Sequence, residues 1–248
     1  MAPTKTVVLI SGANRGIGRG LLSIYLSKPD HIVIAANRDP DHATSRSLLD
    51  LPSGDGSRLV IVPVDATVET DASRAIRKLH EARFIDHIDI VIANAGVATV
   101  YPRVSEVKIS DLQAHLTTNV LGLVSLYQAT LPLLKKSGKG RWVTIGSSAG
   151  CIENQLPLTN AAYGPSKIAA HWLTKRINAE EDDIAAFVIH PGWAQTDMGN
   201  HGANAFGMEK ATVTVEDSVT GVAKVIDAST KESHGGKMWG HEGELMAW

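Results

Sequence analysis

Short apolar runs recur along the chain at Val7–Ile10, Ile32–Ala36, Leu59–Val62, Ile90–Ala93 and Phe187–Ile189. Each is continuous and rich in β-branched residues, with no alternation of apolar and polar positions. Strands buried on both faces have this pattern, so it predicts a parallel sheet covered by helices on either side. Trp142-Val143-Thr144-Ile145 is a weaker member of the set. The segments between the runs are mostly long enough for crossover helices. Leu112, Leu116, Val120, Leu123, Tyr127, Leu131 and Leu134 recur every three or four positions, the apolar stripe of one long amphipathic helix. Strand and helix alternate to about residue 190, which predicts an α/β fold with a doubly wound parallel sheet in three layers.

Nothing divides the chain: there is no internal repeat and no linker, so residues 1–248 read as one domain. Gly54-Asp55-Gly56 reads as a loop before the third strand. Residues 193–215, with Gly199, Gly202 and Gly207, read as a mobile connection, either a lid over a site or a plain surface loop. The composition narrows the functional classes. Of 248 residues, 44% are apolar and 20% charged, which excludes a disordered chain. A formal charge of -2 offers no basic field for nucleic acid. One cysteine, Cys151, excludes an internal disulfide and any multi-cysteine metal cluster. Four apolar residues at Val7–Ile10 are too few for a leader, and no run reaches the roughly 20 a membrane span needs. A soluble cytoplasmic protein is expected.

Directly after the first run comes Ser11-Gly12-Ala13-Asn14-Arg15-Gly16-Ile17-Gly18, then the apolar pattern Leu21, Leu22, Ile24, Tyr25, Leu26. A strand, a glycine-rich turn and a helix start form an anion site, because free backbone N–H groups and the helix dipole point at the ligand. Glycine is needed where the backbone closely approaches a pyrophosphate or takes positive φ. A tight turn without ligand is the plainer alternative. The spacing is Gly-x3-Gly-x-Gly, and in it the chain resembles the short-chain dehydrogenases/reductases.

A second motif, Tyr163-Gly164-Pro165-Ser166-Lys167, sets a phenol and an ammonium four residues apart on one face of an expected helix. A free tyrosine titrates near ~10. A neighbouring ammonium and a positive nicotinamide ring are expected to bring it toward working pH, where it can trade a proton with a hydroxyl or ketone oxygen. Alone, this spacing also suits a solvated helix face. Its company is Asn94-Ala95-Gly96 after the fourth run, Ser147 after the fifth and Pro191-Gly192 after the sixth, all matching the same family.

The resemblance extends from about residue 5 to residue 200 and implies a Rossmann-type fold binding a nicotinamide cofactor. It implies four catalytic residues. Ser147 orients a carbonyl and Tyr163 donates the proton, while Lys167 lowers the phenol's pKa and holds the nicotinamide ribose. Asn119 supports a water-linked proton path. In Gly146-Ser147-Ser148-Ala149-Gly150 the runner-up for the serine is Ser148. Ser147 precedes Tyr163 by sixteen residues, longer than the commonest family spacing; the extra residues lie within Cys151 to Asn160, beside the expected pocket mouth. In this the chain resembles the carbonyl-reductase-like branch and fungal polyketide ketoreductases.

The implied cofactor contacts are Gly12, Asn14, Arg15, Gly16, Ile17, Gly18, Asn37, Arg38, Asp65, Ala66, Asn94, Ala95, Gly96, Tyr163, Lys167, Pro191, Gly192, Ala194 and Thr196. Among them Asp65 resembles the adenine-binding acid and Thr196 the residue that holds the carboxamide. Asn37 falls where an NAD binder places an acid for the ribose hydroxyls. Arg38 follows it, and a planar guanidinium fork matches a 2′-phosphate. Arg15 supplies a second positive charge, so NADP(H) is the expected cofactor, although Asp39 aimed at the ribose would favour NAD.

Rival readings fit less of the chain. Ser148 between Gly146 and Gly150 matches a hydrolase elbow, which leaves the glycine turn and Tyr163/Lys167 without work. A methyltransferase would have no use for Arg38 or the Tyr-Lys pair. A non-catalytic NADP(H) sensor needs no proton relay. Ten histidines are scattered without His-x3-His spacing, so no metal site is expected, and Cys151 reads as a packed thiol. The expected activity is NADPH-dependent reduction of a small-molecule ketone or aldehyde. Trp193, Met198, Phe206 and Met208 suggest a bulky apolar or aromatic carbonyl, or else ordinary packing. A homodimer or homotetramer fits the family.

Overall fold

The computed structural model describes residues 5–82 and 84–248. Its first half runs β1 (Thr6–Ser11), α1 (Gly16–Ser27), β2 (His31–Asn37), α2 (Ala43–Arg46), β3 (Arg58–Pro63), α3 (Asp71–Glu81), β4 (Ile90–Ala93), α4 (Ile109–Leu116), a π-helical turn (Thr117–Leu121) and α5 (Gly122–Ser137). The second half continues with β5 (Gly140–Ile145), α6 (Tyr163–Glu180), β6 (Ile184–His190), α7 (Asp197–Ala205), α8 (Val215–Ala228), α9 (Lys231–His234), β7 (Met238–Gly240) and β8 (Leu245–Met246).

The eight strands form one sheet in the order β3-β2-β1-β4-β5-β6-β7-β8, parallel except for β8 against β7. All six apolar runs are strands. Their continuity follows from the register, in which Leu9 lies beside Ile34 and Val91. These three face the layer of α3, α5 and α6, together with Trp142 and Leu126. Val8, Ile10, Val33 and Phe187 face the opposite layer, packing with Leu21, Val222 and Ile226 of α1 and α8. Neither face of the central strands β1, β2, β4, β5 and β6 meets water, so their side chains are mostly apolar on both faces. β7 and β8, three and two residues long, carry no apolar run and were not expected.

The chain winds outward from β1 to β3, then returns to β4 and winds the other way. Between β1 and β4, at the carboxyl edge, strand order reverses, and ligands of open α/β sheets lie in such a crevice. The expected single long helix is interrupted by the π turn between α4 and α5. Gly138, at φ 71°, closes α5 in the left-handed conformation that suits glycine. Residues 193–215 are more ordered than a glycine-rich connection suggests: α7 occupies their middle, and Ala194 pairs with Val213.

Candidate active site

A cavity of about 1030 Å³ runs along the carboxyl edge of the sheet. One end lies over the β1–α1 turn. Gly12 and Gly16 both take positive φ, 63° and 54°. A Cβ on Gly18 would sit 2.3 Å from the Gly12 carbonyl oxygen, so glycine there lets α1 pack against the turn. Arg15, at the N-cap of α1, gives the helix no side-chain cap, and its first turn carries no acid. The free N–H groups of α1 are therefore left for an anion at the cleft. Asn94 fixes this floor by donating from Nδ2 to the carbonyls of Ser11 (2.9 Å) and Gly12 (3.0 Å). These features fit a dinucleotide pyrophosphate.

Of the expected cofactor residues, all but Gly18 and Asn37 line the cavity. Asn37 is buried; its Oδ1 accepts from the Ala13 N–H (2.8 Å) and its Nδ2 donates to Ser45 Oγ (3.2 Å). It braces the glycine turn from behind and does not line the cavity. Asp39 lines this end of the cavity, with Oδ1 accepting the Asp41 and His42 N–H groups. Arg38 and Arg15 remain exposed at this end of the cavity. Arg15 Nη1 lies 3.5 Å from an Asp197 carboxylate oxygen, an exposed pair worth little that leaves the guanidinium available. Asp65 Oδ1 accepts from Thr67 N–H and hydroxyl. Thr196 caps α7, its hydroxyl oxygen accepting the Gly199 N–H at 3.0 Å.

Midway along the cavity, α6 begins at Tyr163, and Lys167 follows one turn on. The ammonium lies 5.6 Å from the phenol ring centroid, and its Nζ donates to the Ile145 carbonyl at 2.8 Å. Of the two serines, Ser147 rather than Ser148 is the one that acts on the phenol, drawing its pKa down. Burial pushes the Tyr163 phenol up to about 12, against the downward pull of Ser147. Desolvation of the phenolate sets this direction in the protein alone; the expectation that Lys167 and a nicotinamide ring together lower the phenol concerns the cofactor-bound site. The same burial brings Lys167 down to about 8. At neutral pH the phenol is protonated and the lysine mostly charged.

Asn119 sits on the π turn but outside the cavity. Its Oδ1 accepts from the Val97 N–H (2.8 Å), and its Nδ2 donates to the Val97 carbonyl (3.0 Å) and Ser166 Oγ (2.9 Å). The side chain thus fastens the segment beyond β4 to α6, beside a small second cavity that it lines with Lys167 and Thr118.

The far end of the large cavity is aromatic. Tyr101 lies 5.2 Å from Phe206, which lies 6.3 Å from Trp193. Met198 lines this end, whereas Met208, expected with them, does not. A Cβ on Gly202 would come 2.9 Å from the Tyr101 hydroxyl, so glycine on α7 admits the ring. Thr159 Oγ1 donates to the Tyr101 carbonyl at 2.7 Å, and Ala161 N–H to that of Pro102 at 3.1 Å. Leu156 and Leu158 line the mouth from the same segment. Sequence reasoning missed Tyr101, which stands in a loop without hydrophobic periodicity. Among the described residues no three acidic, cysteine or histidine side chains gather as metal ligands, and no helix is long and apolar enough to cross a membrane.

This architecture and site define a nucleotide-binding oxidoreductase. Residues 6–205 match the short chain dehydrogenase family, and the chain belongs to it. The norsolorinic acid ketoreductase of Aspergillus parasiticus is 40% identical, over 99% of this chain and 92% of that one. Its counterpart from Dothistroma septosporum is 39% identical, over 98% and 93%. An NADPH-bound carbonyl reductase from chicken fatty liver superposes with a TM-score of 0.85 at 30% identity, covering 99% of this chain and all of that one. The carbonyl reductase Sniffer of D. melanogaster shares the fold, with a TM-score of 0.86 at 24% identity over 98% of this chain.

Proposed function

We propose that the protein is an NADPH-dependent ketoreductase acting on a bulky, largely aromatic ketone. One observation carries this reading: a protonated phenol shares the cavity with Ser147, between an anion-binding turn and an aromatic wall. The nicotinamide cofactor, when bound, supplies the hydride for the carbonyl carbon. The chain's own groups do the rest. Ser147 and Tyr163 grip the carbonyl oxygen, Tyr163 passes its proton to that oxygen as the alcohol forms, and Lys167 stabilises the resulting phenolate. Tyr101, Phe206 and Trp193 exclude water and offer stacking faces. Arg38 and Arg15 suit a 2′-phosphate, and one carboxylate oxygen of Asp39 is occupied by N–H groups of its own loop. The ketoreductase names of the fungal relatives and the NADPH of the chicken structure support the same reading, and a place in secondary metabolism is part of the proposal.

The test is a carbonyl panel assayed by NADPH absorbance, with NADH in parallel. Aromatic ketones should be reduced with NADPH, and Tyr163→Phe should lower turnover by about 10²–10⁴ while binding NADPH as the parent does. Failure of the wild-type protein to reduce any ketone would leave a cofactor-binding protein without turnover. Near-normal rates in Tyr163→Phe would remove the phenol from its role.

A further inference from the structure

The turn from β5 into α6 carries Ser147, and its backbone N–H groups find unusual partners. Gly146 N–H donates to the Ile189 carbonyl at 2.8 Å, as a continuing sheet would. The next two donate to imidazoles: Ser147 N–H to His171 Nε2 and Ser148 N–H to His190 Nδ1, each at 3.3 Å. Ala149 N–H then returns to Ser147 Oγ at 3.2 Å.

His171 lies on α6 one turn beyond Lys167, so Tyr163, Lys167 and His171 form a single row along the helix. The imidazole is only 2% exposed, and the Trp248 ring lies 6.2 Å from it. The turn has been carved to receive it. A Cβ on Gly146 would stand 2.6 Å from His171 Nε2, and one on Gly150 2.7 Å from its Cε1. The two glycines that imitate a hydrolase elbow thus make room for a histidine. His190 ends β6 directly before Pro191-Gly192 and lines the cavity.

We propose that His171 and His190 are positioning residues, two neutral imidazole acceptors that hold the Ser147 and Ser148 amides and so aim the Ser147 hydroxyl at the substrate carbonyl. The role given to Ser147 rests on the ketoreductase reading; the clamp itself does not. An imidazole accepts only while one nitrogen is bare. The clamp therefore requires the proton of His171 on Nδ1, a buried nitrogen with no hydrogen-bond partner, and that of His190 on Nε2. Both stay neutral across the physiological range. Burial and the Lys167 charge push His171 down to about 3, while burial and His241 push His190 down to about 4. The groups facing His171 are Lys167 on its own helix and His190 across the turn; His241 faces His190 from the loop after β7.

Two substitutions separate holding from mere packing. His171→Leu fills the space without an acceptor, whereas His171→Gln returns an oxygen near the Nε2 position. The expected result is a kcat at least about tenfold lower in His171→Leu, with ketone KM less affected and NADPH affinity retained, and recovery of most of the loss in His171→Gln. A kcat unchanged in His171→Leu, or no better in His171→Gln, would overturn the proposal. Should His171→Leu not fold, ¹⁵N-histidine spectra of the wild-type protein decide, assigned with His171→Gln and His190→Asn. Opposite neutral tautomers persisting at pH 5 support the clamp, and a reversed tautomer or titration near about 6.5 overturns it. Absence of ketone reduction by the wild-type protein, with the tautomers as expected, would overturn the catalytic reading and leave the clamp standing.

Discussion

Tyr163 shows why spacing and environment must be weighed together. A lysine one turn away favours phenolate, yet the burial that makes the site useful favours phenol and prevails in the protein alone. For reduction this is the productive state, because the reaction consumes a proton. The Tyr-Lys spacing was legible because two rare chemistries four residues apart stand out. His171 continues the same row and did not stand out, since a histidine at that spacing from a lysine has no unique meaning until the turn opposite is seen. Asn37 stands at the strand's end as expected, and only the structure shows its amide turning inward to Ala13 and Ser45. That leaves Arg38 as the group at this edge whose charge can choose a cofactor. Arg38→Asp should weaken NADPH binding by about 10–100-fold, the worth of a lost charge-assisted contact, and leave NADH binding little changed. Titration of both cofactors by fluorescence checks this, and equal losses would detach Arg38 from the 2′-phosphate.

At the scale of elements, the strands were legible because both faces of the sheet are buried, so each strand announces itself as an unbroken apolar run. The helix stripe from Leu112 to Leu134 was equally plain, but the π turn within it was not. Adding one residue to a turn shifts the helix face without erasing the three-or-four periodicity. The turn brings Asn119 inward, and only the structure shows that its amide meets both main-chain groups of Val97. β7 and β8 are too short to leave a pattern, and Tyr101 reaches the site from a loop. The Asn119 clamp gives a prediction at this scale. Asn119→Ala strands the Val97 N–H and carbonyl in a half-buried setting and should cost about 1–3 kcal/mol, read by urea unfolding. Stability equal to the parent's would show that Val97 finds other partners.

For the whole molecule, the site's dryness shapes the response to acid. His171 and His190 are held near 3 and 4 in the folded protein, whereas an unfolded histidine titrates near about 6.5. Between those values the unfolded chain binds more protons, so stability must fall as pH falls. Each group contributes up to about 1.4 kcal/mol per pH unit across its window. His87 runs the other way. Although burial lowers its pKa, hydrogen bonds and charges from Asp86 and Asp89 raise it on balance, so its contribution is present at low pH and lost as pH rises through the raised value. His234, also lowered by burial, joins His171 and His190, so three histidines against one leave a net loss on acidification. Asp71 and Asp86, whose carboxyls are held low by Arg74 and His87, add their loss only at still lower pH. Urea unfolding at intervals from pH 7 to pH 4 should therefore show a steady decline that begins above the carboxylate range. In His171→Gln the decline should be shallower, because the substituted side chain has no proton to take up. The slope is the diagnostic, since a variant that is merely less stable shifts the curve without flattening it. An identical slope in the variant would mean that the imidazole already exchanges protons with solvent in the folded state, which the packing of Gly146, Gly150 and Trp248 around it opposes.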